Sequence, residues 1–211
     1  MNLSKPLTSL IPSLEGEILT VLAGAETDFT GLQVHKIIGK NSSVGVSKAL
    51  QKLSAQGIVN MRASGNSNLY ELNREHLFAG YIIEIAKVRA KFFSSMTLEV
   101  GSWELHPECV AVFGSGARSD MTFESDIDVF IARPAEIAFG LPEWRQQLTN
   151  FALKVQRWTG NSVQIFELGD DDISQELGSK GGVIYPIIDE GVVIYGPVDY
   201  LRKLRNRTEV K

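Results

Sequence analysis

The stretch VAVFGSGARSDMTFESDIDVFIA, Val110 to Ala132, decides how the chain is read. Val110–Phe113 and Ile127–Ile131 are short apolar runs of strand type, and Gly114, Ser115 and Gly116 stop the first of them. Side chains alternate across a strand, so Asp126 and Asp128 point to one face while Ile127 and Val129 point into the core. Two carboxylates so close repel each other, and one takes up a proton unless a cation compensates. A divalent metal is the simplest resolution, and hard carboxylate oxygens suit Mg2+ or Mn2+. The Gly-Ser step supplies the complement. A strand ending in Gly114 and Ser115 before a helix start exposes backbone N–H groups and a hydroxyl, which form an anion cradle. Phosphate beside paired metal carboxylates is the layout for nucleotidyl transfer, in which metals bridge the triphosphate oxygens.

GSGARSDMTFESDID resembles the signature of the DNA polymerase β nucleotidyltransferase superfamily: a Gly-Ser step, an Ala-Arg pair, then Asp-x-Asp on the next strand. In particular it is similar to the small "minimal" nucleotidyltransferases, which are often seen with helical toxin partners or fused to a winged helix. The resemblance covers about residues 98–197, because YPIIDEGVVIYG is also similar to the family's last strand pair before a terminal helix. It implies that Gly114 and Ser115 bind the triphosphate, that Asp126 and Asp128 hold the metals, and that Arg118 sits near the phosphates.

The chain departs from that pattern at two places. Ser119 stands where the family commonly has a second glycine. The third carboxylate, which in active members lies on the next core strand as base or metal ligand, falls in NSVQIFEL on Gln164, and a neutral amide takes no proton. Glu167 has the opposite strand parity and substitutes only if a bulge re-aims it. Asp170, Asp171 and Asp172 read as a solvated loop and helix cap.

Upstream, the composition changes. From Thr30 to Tyr70 there is no Asp or Glu, while Lys36, Lys40, Lys48, Lys52 and Arg62 are all positive. Residues 1–80 carry seven Lys and Arg against six acids, leaving fourteen against nineteen of the chain's 21 and 25 for the remainder. A locally basic front joined to an acidic back fits a polyanion-binding module attached to one that handles cations. Apolar spacing predicts helices from Ser13 to Gly24, from Thr30 or Gly31 to Gly39, and from Ser42 or Ser43 to Gly57. Strand-like runs at Ile58–Arg62 and Leu69–Leu72 flank the turn residues Ser64 to Asn68, predicting a hairpin. Three helices and a hairpin make a winged helix-turn-helix. The segment resembles the DNA-binding domains of MarR and ArsR type regulators over about residues 12–73. Ser47, Lys48, Gln51 and Lys52 face outward from the third helix, a face that suits the major groove, and Ser47, Lys48 and Lys52 with Arg62 on the hairpin are the expected contacts to double-stranded DNA. Winged helices also serve as protein-interaction modules.

Between the modules, Leu77, Tyr81, Ile82, Ile85, Val88 and Phe92 predict one long amphipathic helix from about Glu75 to Met96. Its wide apolar face packs the modules together, pairs with a second copy as a homodimer, or belongs to a plain connector. The tail DYLRKLRNRTEVK is a basic amphipathic helix carrying Arg202, Lys203, Arg205 and Arg207, placed against a polyanion or in solvent. Trp103, Trp144 and Trp158 read as core or interface aromatics.

The lone Cys109 excludes an intramolecular disulfide, and His35, His76 and His106 lack zinc spacing. No secretory leader and no run of eighteen apolar residues is visible, so a soluble, cytoplasmic protein with no membrane contact is expected. The expected fold is α+β: a winged helix-turn-helix over residues 1–73, a connecting helix over 74–97, and a polymerase-β-like domain with a mixed sheet over 98–211. The expected activity is Mg2+- or Mn2+-dependent transfer of an NMP from an NTP to a hydroxyl of a protein, nucleic acid or small molecule, coupled to DNA binding. The alternative is a DNA-binding regulator, or an antitoxin with a toxin partner, whose nucleotidyltransferase domain binds nucleotide with little or no transfer.

Overall fold

A computed structural model describes residues 1–39, 41–118, 120–179 and 181–209. Lys40 and Ser119 lie outside them, as do the side chains from Arg207 onward. The chain divides into two compact units, residues 4–89 with Asn2, and residues 90–211 with Met1 and Leu3.

The first unit opens with α1 (Pro6–Leu10) and α2 (Leu14–Ala23), then β1 (Phe29–Thr30), α3 (Gly31–Ile38) and α4 (Ser43–Ala55). Local chemistry sets these limits. Thr30 and Gln33 form a reciprocal capping box on α3, and Gly39 ends it in the left-handed conformation at φ +73°. Ser42 Oγ accepts the Gly45 N–H at 3.1 Å to start α4. The hairpin strands are β2 (Val59–Ser64) and β3 (Ser67–Leu72), longer than the apolar runs predict. Their pairing continues to Ser64 opposite Ser67, so the turn shrinks to Gly65 and Asn66. Gly65 takes φ +56° at its first central position, which a residue without Cβ adopts freely. The sheet order is β1-β3-β2, all antiparallel. Ile18, Leu22, Val34, Val46, Leu50 and Tyr70 share one buried core.

The expected single helix over 75–96 is instead two, α5 (Ala79–Ala86) and α6 (Val88–Gly101). Lys87 parts them, with ψ near −3° rotating its carbonyl out of the helical ladder. Apolar periodicity survives a one-residue interruption, so the pattern alone did not show it.

The second unit contains β4 (Cys109–Phe113), α7 (Ser115–Arg118), β5 (Ile127–Ala132), α8 (Pro142–Thr159), β6 (Val163–Leu168), α9 (Asp170–Gly178), α10 (Ile184–Glu190), β7 (Val192–Tyr195) and α11 (Tyr200–Glu209). These make a mixed α+β fold on an open four-stranded sheet of order β6-β5-β4-β7. β5 pairs with β6 in parallel and with β4 antiparallel; β7 is antiparallel to β4. Both faces of the central strands are buried, so β4 and most of β5 are apolar throughout. On one face Phe113, Phe130 and Ala132 pack with Ile173, Ile184, Ile187 and Leu201. The opposite parity carries Val110, Val112, Val129 and Ile131, all buried. Trp144 and Phe151 of α8 are also fully buried, and Trp103 meets both rings edge-on.

YPIIDEGVVIYG is a helix and a strand, not a strand pair. Ile184, Ile187 and Ile188 lie on the buried side of α10 at helical spacing, and Pro186 sits in the first turn, where its missing N–H has no intrahelical partner. The β-branched run Val192–Tyr195 alone is extended. This correction matters for the site, because it puts Glu190 at the last turn of a helix.

Candidate functional site

Strand pairing builds the centre of the site. Asp128 lies opposite Phe113, the last residue of β4, so its side chain meets the turn that follows. Its parity is that of Phe130 and Ala132, the face packed by α9 and α10. The chain turns at Gly114 with φ +65°. A Cβ there would fall 2.5 Å from Asp128 Oδ2, so only glycine lets the carboxylate lie against the turn. Asp126 is exposed just before β5, near enough for its charge to act on Asp128.

Burial raises the Asp128 carboxyl above its ordinary value, and the charge of Asp126 pushes the same way. Arg118 opposes this shift and Glu190 adds to it. The pair is therefore a half-buried carboxylate and an exposed one with negative charge to spare, which fits a hard dication. Among the described residues no group of three His, Cys, Asp or Glu side chains is placed to hold a metal ion. A cation on Asp126 and Asp128 would take its remaining ligands from water and phosphate oxygens, the manner in which magnesium is commonly bound.

The helix after the Gly-Ser step, α7, is only four residues long, so its contribution as a dipole is small. Ser115 opens it half-buried, and the Ala117 and Arg118 amides close on Gly114 O at 3.0 and 3.1 Å. The strong positive group is Arg118 itself. Its guanidinium donates from Nη1 to Glu190 Oε1 at 2.7 Å and Oε2 at 2.8 Å, and from Nε to Asp120 Oδ2 at 3.2 Å. The Gly114 N–H also donates to Glu190 Oε1, at 3.1 Å. Glu190 is thus a site residue that the sequence reading missed. Helical spacing in Ile184–Ile188 could have placed it at a helix end, but nothing local marks its approach to Gly114, 76 positions away.

Register fixes which residue stands beside Asp128 on the neighbouring strand. Asp128 pairs with Gln164 on β6, and the β5–β6 pairing runs without a break from Ile127–Val163 to Ala132–Leu168. No bulge re-aims Glu167. Its Oε1 accepts the Trp144 indole N–H at 3.0 Å and meets Arg133 Nε at 2.8 Å. Asp170, Asp171 and Asp172 occupy the first turn of α9, where Asp172 Oδ2 accepts the Gly169 N–H at 3.0 Å.

In the first unit Ser47, Lys48 and Lys52 are exposed on α4, opposite the buried Val46, Ala49, Leu50 and Leu53. Ser47 lines a shallow cleft with Thr30, Leu32, Ser67 and Asn68, so this helix face and the hairpin border one depression. Two of the four expected DNA contacts are already paired: Lys52 Nζ lies 2.7 Å from Glu15 Oε1, and Arg62 forms an ion pair with Asp28. Lys52 holds the Glu15 carboxyl well below the usual range, at about 2.

No protein-family model matches the sequence, and no curated protein matches it. Among solved structures, the chain is similar to a mutant of the toxin-antitoxin MntA-HpeT at 11% identity and a TM-score of 0.40, over 56% of this chain and 84% of that one. It is also similar to a toxin-antitoxin crystallised with AMP-PNP, at 14% identity and a TM-score of 0.38, over the same shares. No helix among the described residues is long and apolar enough to cross a membrane.

Proposed function

We propose that the second unit is a metal-dependent nucleotidyltransferase domain that binds an NTP between the Gly114–Ser115 turn and the Asp126–Asp128 pair. The observation that carries this reading is the contact of Gly114 with Asp128, which brings an anion-binding turn and a cation-binding carboxylate within one van der Waals layer. Asp126 and Asp128 would hold Mg2+ or Mn2+, which would supply positive charge to offset that of the triphosphate and of the leaving pyrophosphate. Gly114, Ser115 and Arg118 hold the phosphates, the backbone N–H and hydroxyl by hydrogen bonds and the guanidinium as a fork. The acceptor is a hydroxyl of a protein, nucleic acid or small molecule.

The order of α2, α3, α4 and the β2–β3 hairpin supports a winged helix-turn-helix in the first unit, with Ser47, Lys48, Lys52 and Arg62 directed to double-stranded DNA. A second reading is favoured by Gln164 opposite Asp128 and by the engagement of Glu167 with Trp144 and Arg133: a DNA-binding regulator that senses nucleotide with little transfer.

Incubation with each labelled NTP and magnesium tests the first reading. Label should pass to the protein or a partner and vanish in Asp128→Ala. Tight Mg·NTP binding without labelling selects the sensor, and absence of both binding and labelling overturns the nucleotide reading.

A further inference from the structure

Two of the donors assigned to phosphate, the Gly114 N–H and the Arg118 guanidinium, are already engaged. Glu190 takes the Gly114 N–H on one oxygen and accepts from Arg118 Nη1 with both. Both Glu190 oxygens lie within hydrogen-bond distance of the one nitrogen Nη1, a charge-assisted contact that occupies a donor a phosphoryl group would need. The contact is not a local turn: Glu190 arrives on the last turn of α10, whose Ile184, Ile187 and Ile188 are buried in the core. The helix is therefore anchored, while the Glu190 side chain has three torsions with which to swing. Arg118 remains half exposed, so an incoming anion can reach it.

We propose that Glu190 is a built-in competitor for phosphate, which closes the nucleotide site in the ligand-free protein and must leave Gly114 and Arg118 before a phosphoryl group binds them. This rests on the nucleotide reading above. A phosphoryl group cannot take the Gly114 N–H while Glu190 holds it, and beside Arg118, whose Nε already meets Asp120, a further anion next to Glu190 is repelled more strongly in a partly desolvated site than in water. The apparent affinity for Mg·NTP is then the intrinsic affinity reduced by the fraction of molecules in which Glu190 has swung away. A site held shut nine times in ten loses about tenfold.

Glu190→Ala removes the competitor, and Glu190→Gln keeps the shape while weakening the hold on Arg118. Calorimetric titration of the full chain and both variants with magnesium plus each NTP, and with magnesium tripolyphosphate, measures the effect. Glu190→Ala should bind NTP and tripolyphosphate about tenfold more tightly than the native protein, with Glu190→Gln between them. The Gly114 amide resonance should move on adding ligand to the native protein and should already be displaced in unliganded Glu190→Gln. Equal or weaker binding by the variants overturns the competitor and leaves the nucleotide reading standing; Glu190 then positions Arg118. No binding of any NTP by the native protein or either variant overturns both. Should Glu190→Ala fail to fold, Glu190→Gln decides alone by the same criteria.

Discussion

Asp128 stands directly across from Gln164, in register, where the parallel strands β5 and β6 pair. The neutral amide thus occupies the point on the neighbouring strand from which a third carboxylate would face Asp126 and Asp128. Gln164 is exposed, so an acid fits there without burial. Gln164→Asp should raise the rate of label transfer from NTP by about a hundredfold, the lower end of what a positioned base contributes. Transfer assays comparing native and variant protein check this, and an unchanged rate shows that the base lies elsewhere.

Gly114→Ala adds a Cβ that meets Asp128 Oδ2 and forces a side chain into the left-handed region. The strain is about 1–2 kcal/mol, lowering the melting temperature by a few degrees, and the displaced carboxylate should weaken Mg·NTP binding at least tenfold. Thermal melts and calorimetry separate the two effects. Gly140→Ala serves as the control: it has a similar φ of +81° but no atom within 4 Å, so only the melt should change.

Magnesium with a non-hydrolysable NTP should stabilise the native protein by about 2.7 kcal/mol at a hundred times Kd. Asp126→Ala and Asp128→Asn should lose most of that gain. Without metal, Asp128→Asn should melt above the native protein at neutral pH, because burial and Asp126 both disfavour the charged form. A melt in chelator reads this directly.

Glu15 is the chain's clearest acid-stability group. Its carboxyl falls from about 4.5 to about 2 through hydrogen bonds from Lys52 and Ser13. The folded value is depressed, so the stabilisation is complete above the unfolded value and is lost as pH falls through about 2. Lys52 is largely exposed, which limits the pair to under about 1 kcal/mol. Lys52→Met should change the melting temperature little at pH 7 and flatten its fall between pH 5 and 2.

Lys48→Ala with Arg62→Ala should weaken duplex binding by about an order of magnitude and reduce the salt slope by about two. Asp28→Asn frees Arg62 from its ion pair and should strengthen binding. Gel shifts across a salt series measure both, and no shift at low salt removes the DNA reading.

Much of this molecule is written locally. Alternation put Asp126 and Asp128 on one strand face, capping chemistry at Thr30, Ser42 and Gly39 delimited two helices, and Gly65 marked the hairpin turn. These features depend on neighbours within a few residues, so one sequence suffices to read them. The break at Lys87 and the helical state of Ile184–Glu190 were less legible, because β-branched residues and unbroken apolar spacing suit more than one state. Glu190 on Gly114 and Arg118, Gln164 opposite Asp128, and Glu167 turned to Trp144 and Arg133 were decided by tertiary structure alone. Each joins residues 23 to 76 positions apart, and their distances are set by strand register and helix docking, to which the residues themselves contribute no local signal.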